Sequence, residues 1–85
     1  MQTITVIALK VSGYELAFMV GNKIIAFIEK SEEFIGKYRG FVGGFPDNGY
    51  SFNNLDFPDV LLIVSDHIER GFNRLGLNVE FTILY

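Results

Sequence analysis

The sequence contains no cysteine and no tryptophan, and it has one histidine and two prolines. Without cysteine, the chain can form neither a disulfide framework nor a thiolate metal site. The N-terminus shows no charged segment followed by a long apolar run, so we expect no signal peptide. The apolar runs are also too short to cross a membrane as helices. We therefore expect a cytoplasmic protein that does not bind a membrane.

Positive charge is scarce as well. The chain carries 7 Lys and Arg residues against 10 Asp and Glu residues, which gives a net charge of −3. Residues 40–69 include no Lys or Arg, and the acidic residues in this interval are Asp47, Asp56, Asp59, Asp66 and Glu69. Because general nucleic-acid binders are usually basic, this balance argues against that class. It favours a protein partner with a basic surface.

Apolar side chains, by contrast, are abundant: 49% of the 85 residues are hydrophobic and 15% are aromatic. A chain of this length forms one domain with a thin core. It therefore offers more apolar surface than its own core readily hides. We predict a single domain over residues 1–85 that associates with itself as a homodimer, or with another protein.

Strand patterns occupy the first third of the chain and its end. Residues 2–11, 14–20 and 23–29 are rich in β-branched and other apolar residues, and Gly21-Asn22 suits a two-residue hairpin turn. We expect these three strands to form an antiparallel meander. Residues 77–85 alternate between apolar and polar, which predicts a fourth strand with one buried face. The first and third strands are apolar on both sides, so we expect one face of the sheet to expose part of an apolar set.

The strongest helix signal covers residues 57–76. Asp56 and Pro58 suit the start of a helix, and Gly76 suits its C-terminal end. At about 100° per residue, the apolar residues of this segment form one stripe that is predicted to face the sheet. The stripe comprises Leu61, Val64, Ile68, Phe72 and Leu75.

A second, shorter helix is predicted over residues 31–39, because Ser31 is a good N-cap and two acidic residues follow it. Residues 40–56 are then a long connector rich in Gly and Asn, and its aromatic residues favour an ordered conformation. The predicted fold class is α+β. It consists of a four-stranded, mainly antiparallel sheet in β-β-β-α-α-β order, with the helices packed on one face.

Catalytic and metal-binding patterns are weak. Ser65, Asp66 and His67 are consecutive on a predicted helix, where neighbours point about 100° apart, so they cannot form a hydrogen-bonded triad. We expect His67 to be half-buried on the helix. The Asp and Asn residues of the connector do not follow the spacing of a calcium-binding loop. We therefore expect no enzyme, no catalytic residue, no metal and no cofactor.

Aromatic side chains next to carboxylates, in and after the connector, are typical of a protein interface with a basic partner. The predicted partner-binding residues are Phe45, Asp47, Tyr50, Phe52, Asp56, Asp59, Leu62 and Ile63. We interpret the chain as a small interaction module, of the regulatory or inhibitor kind, that acts by binding.

An alternative function is the binding of a nucleotide or nucleic acid by residues 37–44, which combine cations, aromatic rings and glycines. The candidate ligand-binding residues are Lys37, Tyr38, Arg39, Gly40, Gly43 and Gly44. Arg39-Gly40-Phe41 matches the beginning of the RNA-recognition pattern K/R-G-F/Y-G/A-F-V, but Val42 then replaces the small residue that the pattern requires. The phosphate-loop pattern G-x-x-x-x-G-K-[ST] is absent.

Overall fold

The structure is a computed structural model that describes residues 2–43 and 49–84. In these residues six strands and one helix follow each other along the chain. They are β1 (Gln2–Val11), β2 (Tyr14–Val20), β3 (Lys23–Lys30), β4 (Tyr38–Val42), β5 (Tyr50–Leu55), α1 (Phe57–Arg74) and β6 (Leu77–Leu84). The strands form one sheet in the order β5-β4-β3-β2-β1-β6. β6 pairs with β1 in parallel, and the other neighbours pair antiparallel.

The predicted fold class is wrong: the structure is mostly β, with a six-stranded mixed sheet and one helix instead of a four-stranded antiparallel sheet and two helices. The predicted meander of β1, β2 and β3 is confirmed. Its turns contain Gly13 with a φ of 92° and Gly21 with a φ of 60°. These left-handed conformations suit glycine, so the turn residues set the boundaries of the strands.

The short helix predicted over residues 31–39 is wrong. Ser31 Oγ does accept hydrogen bonds from the N–H groups of Glu33 (3.3 Å) and Phe34 (3.1 Å), as an N-cap would. Gly36, however, has a φ of 78°, and the chain turns back so that the Ser31 N–H donates to the Lys37 carbonyl at 2.9 Å. Ile35 is fully exposed. A capping signal starts one turn, but a helix needs a buried apolar face, which is missing here.

The connector predicted over residues 40–56 is also wrong, because it contains most of β4 and all of β5, which pair antiparallel. The hairpin turn predicted at Asn48-Gly49 lies partly outside the described residues. Near the end of β5 the pairing register shifts, and Asn54 has a φ of 64°. The Asn and Gly residues that suggested a loop therefore mark a hairpin whose second strand carries a bulge.

The long helix is confirmed as α1. Asp56 is its N-cap residue by backbone conformation, but the Asp56 side chain does not cap the helix. It accepts a hydrogen bond from Lys37 Nζ instead. In the predicted stripe, Val64, Ile68 and Phe72 are buried, whereas Leu75 is 57% exposed. Leu75 is outside the core because the helix ends at Arg74 and the chain turns through Gly76 into β6.

The helix divides the sheet into two different faces. α1 packs against β3, β4, β5 and β6, and the side chains beneath it form the core. Its buried sheet residues include Val6, Ala8, Leu16, Phe18, Ala26, Ile28 and Val42. The opposite side, which we call the open face, is formed by Ile7, Leu9, Tyr14, Ala17, Met19, Ile24, Phe27 and Phe41. In the part of the chain that the structure describes, no helix or strand packs across the open face.

Candidate functional site

The partner-binding residues predicted from the sequence do not lie on one continuous surface. Phe45 and Asp47 lie outside the described residues. The others fall on two sides of α1 and at its N-terminus. That they bind a partner stays a prediction.

Tyr50 and Phe52 of β5 lie beside His67 of α1. The Tyr50 and His67 rings are stacked with centroids 4.9 Å apart, and the centroids of Tyr50 and Phe52 are 5.4 Å apart. Tyr50 is 54% exposed, whereas Phe52 is half-buried and packs against the core. Ile63, one helical turn before His67, lies on the same side of the helix. This side therefore contains an aromatic cluster with one exposed ring.

The remaining predicted residues are close to the start of α1. Asp56 and Asp59 are exposed, and Asp56 forms an ion pair with Lys37 at 2.7 Å. Leu62 is 70% exposed and lies on the other side of the helix from His67, where it lines a groove with Phe81 and Ile83 of β6. Leu62 is thus separated from Tyr50 and Phe52 by the body of the helix.

The alternative ligand-binding residues form β4 and its flanks, not a loop. Both cations are engaged by carboxylates: Lys37 by Asp56, and Arg39 by Glu29 of β3. The Tyr38 ring packs edge-on against Phe57 at 5.2 Å. Gly40 is buried under α1, and the Gly43 N–H donates to the Ile25 carbonyl at 2.6 Å. Gly44 lies outside the described residues.

At Gly40 the sheet and the helix approach each other closely. A β-carbon at this position would lie 2.6 Å from Phe52 Cε2, 2.8 Å from Val60 Cγ2 and 3.0 Å from Val64 Cγ2. These distances are shorter than van der Waals contact, so the absence of a side chain is required by packing. The glycine that suggested a phosphate-binding segment therefore has a structural role.

A row of aromatic rings crosses the open face, and sequence analysis did not identify it as a site. The Tyr14 and Phe27 rings lie 4.6 Å apart, and the Phe27 and Phe41 rings are stacked at 5.5 Å. Phe27 is directly opposite Phe41 in the pairing of β3 with β4. Phe41 is 38% exposed although it is a large apolar residue. The signal was present in the second apolar set of the strands, but Phe41 had been assigned to a connector.

Aliphatic side chains extend this row across the sheet. Leu9 is paired with Ala17, and Ala17 with Phe27, so these three residues follow each other from β1 to β3. Beside them, Ile7 is paired with Met19. Cross-strand neighbours on one face contact each other directly. The apolar side chains of the open face are therefore neighbours and not isolated residues, with Ala17 fully buried among the larger ones.

Next to the aromatic row, the open face carries a pair of opposite charges. Arg39 and Glu29 are directly opposite each other on β4 and β3, and their side chains form an ion pair. Arg39 also lines an open cavity of about 450 Å³ together with Phe27, Phe41 and Ser51. The cavity combines aromatic faces with a cation that already has an anionic partner.

Within residues 2–43 and 49–84, two other kinds of site are absent. No three His, Asp or Glu side chains are grouped closely enough to hold a metal ion. No helix there has the length and apolar character needed to span a membrane. Comparison with protein-family models, with curated proteins and with solved structures found no match.

Proposed function

We propose that this chain is a protein-interaction module that acts by binding another protein through the open face. One observation carries the proposal: the aromatic row Tyr14, Phe27 and Phe41 lies on a sheet face that no described element covers. Contiguous apolar surface of this kind is unusual on a monomeric protein and is typical of interaction sites. Aromatic residues are also enriched at the centres of such sites.

The chemistry of the surface indicates the kind of partner. Its centre is apolar, so the partner presents an apolar patch. The chain as a whole carries a net charge of −3, and a basic rim on the partner would be attracted to it. Binding that covers the partner's own working surface would make the chain a regulator or inhibitor of that partner.

The proposal is tested by capture followed by measurement of affinity. Immobilised wild-type chain and a Phe41→Glu variant are incubated with an extract of the native host, and the retained proteins are identified by mass spectrometry. A matched control is Ile35→Glu, which adds the same charge at a fully exposed apolar residue outside the open face. We expect a protein retained by the wild type and the control, but not by Phe41→Glu.

The affinity of the purified candidate is then measured by calorimetry. Truncating a central anchor of an interface costs about 2 kcal/mol, so Phe41→Ala is expected to weaken binding roughly 30-fold. A Tyr50→Ala variant tests the surface predicted from the sequence. If Tyr50→Ala weakens binding and Phe41→Ala does not, the interface lies at β5 and α1, and the proposal for the open face is wrong.

A second candidate function is the stacking of single-stranded nucleic acid on the same aromatic row. The observation that favours it is the position of Arg39 beside Phe27 and Phe41 in the 450 Å³ cavity. Aromatic faces with a neighbouring arginine can bind bases without sequence preference. The pairing of Arg39 with Glu29 and the net negative charge count against it.

Fluorescence anisotropy with labelled single-stranded oligonucleotides separates the two functions. If the second candidate is correct, binding falls steeply with salt, and both Arg39→Gln and Phe27→Leu weaken it. Lys23→Gln is the control, because Lys23 is exposed at the start of β3 and does not line the cavity. Absence of binding at low salt would remove the nucleic-acid candidate and leave the protein-binding proposal unaffected.

A further inference from the structure

We infer that the free edge of β6, together with the groove between β6 and α1, is the surface through which two copies of this chain associate. This surface is at one end of the sheet, away from the aromatic row of the open face. The inference and the proposed function therefore rest on different residues, and each can fail without the other.

The two edges of the sheet differ in how well they are protected. β5 and β6 are the edge strands. An edge strand presents unpaired N–H and C=O groups that can pair with another chain, and bulges are one way in which proteins prevent this. β5 is interrupted in this manner, since its register with β4 shifts and Asn54 has a φ of 64°. Its sequence YSFNNL is also largely polar near the bulge.

β6 has no such protection along Leu77–Leu84. It pairs with β1 over this whole length without a register shift. Glu80 is the only charged residue of the strand, which contains neither proline nor glycine. Eight residues at roughly 3.3 Å each give an edge about 26 Å long. A long, regular and weakly charged edge is suited to pairing with another strand.

An apolar groove runs beside this edge. It has a volume of about 470 Å³, its floor includes the buried Phe18, and Leu62 and Ile83 line it. Leu62 is 70% exposed and Ile83 is 45% exposed. A partner whose strand adds to β6 brings the groups on the helix side of that strand next to this groove, so the backbone edge and the groove form one surface.

A second copy of β6 is a self-complementary occupant of the edge. Two identical strands that pair antiparallel are related by a two-fold axis, as in most homodimers. Residues that are directly opposite each other lie on the same face of the sheet. The two-fold axis must therefore pass between the two copies of one residue. The two axes that give the longest overlap of Leu77–Leu84 pass beside Glu80 or beside Phe81.

The charge of Glu80 distinguishes these two registers. An axis beside Glu80 would place the two Glu80 carboxylates directly opposite each other, which is destabilising. An axis beside Phe81 places Glu80 opposite Thr82 of the partner subunit. It also places Ile83 opposite the partner's Val79, which continues the apolar row on the helix side. The structure therefore favours the register centred on Phe81.

This register also provides an occupant for the groove. Leu75, which is 57% exposed, immediately precedes the turn into β6. Because the strands run in opposite directions, the start of the partner's β6 lies next to the end of the first. The partner's Leu75 is thereby brought to the groove lined by Leu62 and Ile83, and the contact is repeated by symmetry. Both helices lie on the same side of the joined sheet, so the two open faces form one continuous surface.

Sedimentation equilibrium of the full chain measures the association. We expect the wild-type mass to rise with concentration from 9.6 kDa towards twice that value. Ile83→Lys is expected to weaken dimerisation by at least about tenfold, because it places a charge in a desolvated contact. Leu62→Glu is a second variant at an exposed position, in case Ile83→Lys alters the fold. Ile35→Lys, on the turn between β3 and β4, is the matched control and should leave the mass unchanged.

Cross-linking tests the register, since the native chain has no cysteine. Directly opposite residues have Cβ atoms about 4.5–5.5 Å apart, close to the range that a disulfide bridges. Under oxidising conditions, a mixture of Glu80→Cys and Thr82→Cys chains should form a mixed covalent dimer in preference to either homodimer. Efficient cross-linking of Glu80→Cys alone would overturn the proposed register.

Two results would overturn the inference as a whole. One is a mass of 9.6 kDa up to high micromolar concentration. The other is a dimer that neither Ile83→Lys nor Leu62→Glu weakens. If Phe41→Glu abolishes such a dimer, two copies associate through their open faces instead of through β6.

Discussion

The two faces of the sheet are built from alternate residues of the same strands, yet the helix covers only one of them. Val6 and Ala8 of β1 are fully buried under the helix side, while Ile7 and Leu9 between them lie on the open face and are half-buried. In a strand, neighbouring side chains point to opposite faces, so a helix packed on one face leaves the other face uncovered. A strand that is apolar on both sides therefore indicates a second apolar surface in addition to the core.

The difference can be stated as an expectation about mutations. Changes on the helix side should lower the free energy of unfolding and leave the binding surface intact. Changes on the open face should weaken binding and have smaller effects on stability. The variants below test this contrast in order of the expected effect.

The largest effect is expected for Ile68→Ala. Ile68 is fully buried at the centre of the interface between α1 and the sheet. Removing its side chain loses the transfer free energy of the buried carbons and leaves a cavity, so the free energy of unfolding should fall by about 2–5 kcal/mol. Urea denaturation followed by circular dichroism measures this loss.

Leu62→Ala is the matched control, because it shortens a leucine on the same helix that is 70% exposed. Its effect on stability should be well under 1 kcal/mol. It is measured at low protein concentration, where dimerisation through β6 does not contribute. Equal denaturation midpoints for Ile68→Ala and wild type would show that the helix does not form the core with the face assigned here.

The next effect is expected for Gly40→Ala, a change that adds only one carbon. That carbon would meet Phe52, Val60 and Val64 at 2.6–3.0 Å. Overpacking of this kind typically costs 1–3 kcal/mol, here about 2 kcal/mol. Because two of the three contacts come from valines on α1, the strand and the helix would have to separate slightly.

A double-mutant cycle with Val60→Ala identifies the cause. Val60→Ala removes Cγ2, which the added carbon would meet at 2.8 Å. The cost of Gly40→Ala should therefore be smaller in the Val60→Ala background than in the wild type. Strictly additive effects would mean that the close approach at Gly40 is not the source of the destabilisation.

Phe41 and Val42 give the most direct comparison of the two faces, because they are adjacent in β4. Val42 is 4% exposed under the helix, and Phe41 is 38% exposed on the open face. Val42→Ala should cost about 2 kcal/mol, from the buried carbons and the cavity that they leave. Phe41→Ala removes a much larger side chain, but it should cost only about 1 kcal/mol, since water already reaches the ring.

Thermal and urea denaturation of the two variants, side by side, measure this difference. A cost for Phe41→Ala well above that for Val42→Ala would mean that the open face contributes to the core. The proposal that the open face binds a partner would then lose its main support.

The sequence predicted those parts of the fold whose signals are local. The boundaries of β1 and β2, the turn at Gly21 and the extent of α1 follow from alternation, helical periodicity and glycine positions. β4 and β5 were missed because their Gly and Asn residues suggested a loop, although β4 pairs with the strands next to it in the chain, β3 and β5. A side chain at Gly40 would collide with Val60 and Val64 of the helix, and Asn54 lies where the register of β5 with β4 shifts. Such tertiary contacts cannot be recognised from a short segment of the sequence.

The candidate site was predicted less well for the same reason. The open face combines residues from β1 to β4, and its aromatic row became evident only when β4 was seen to pair with β3. That Tyr50 and Phe52 bind a partner stays a prediction, and the structure places both rings beside His67. His67, which stacks on Tyr50, is separated from it by 17 positions along the chain and could not be assigned to it from the sequence.

The smallest effect is expected for Lys37→Ala, at the rim between the two faces. Lys37 Nζ and Asp56 Oδ1 are 2.7 Å apart, and both side chains are substantially exposed, by 40% and 63%. Exposed ion pairs contribute about 0–1 kcal/mol, because water and salt screen them. Asp56 is also the N-cap residue of α1, so the pair connects the start of β4 to the start of the helix.

A double-mutant cycle of Lys37→Ala and Asp56→Asn, measured by urea denaturation at low and at high salt, isolates the pair. We expect a coupling of a few tenths of a kcal/mol that decreases with salt. A coupling above about 2 kcal/mol, unaffected by salt, would mean that Lys37 is held rigidly as part of the core. A small, salt-sensitive coupling instead places Lys37 on the solvated rim, where its removal leaves both the core under α1 and the aromatic row on the open face unchanged.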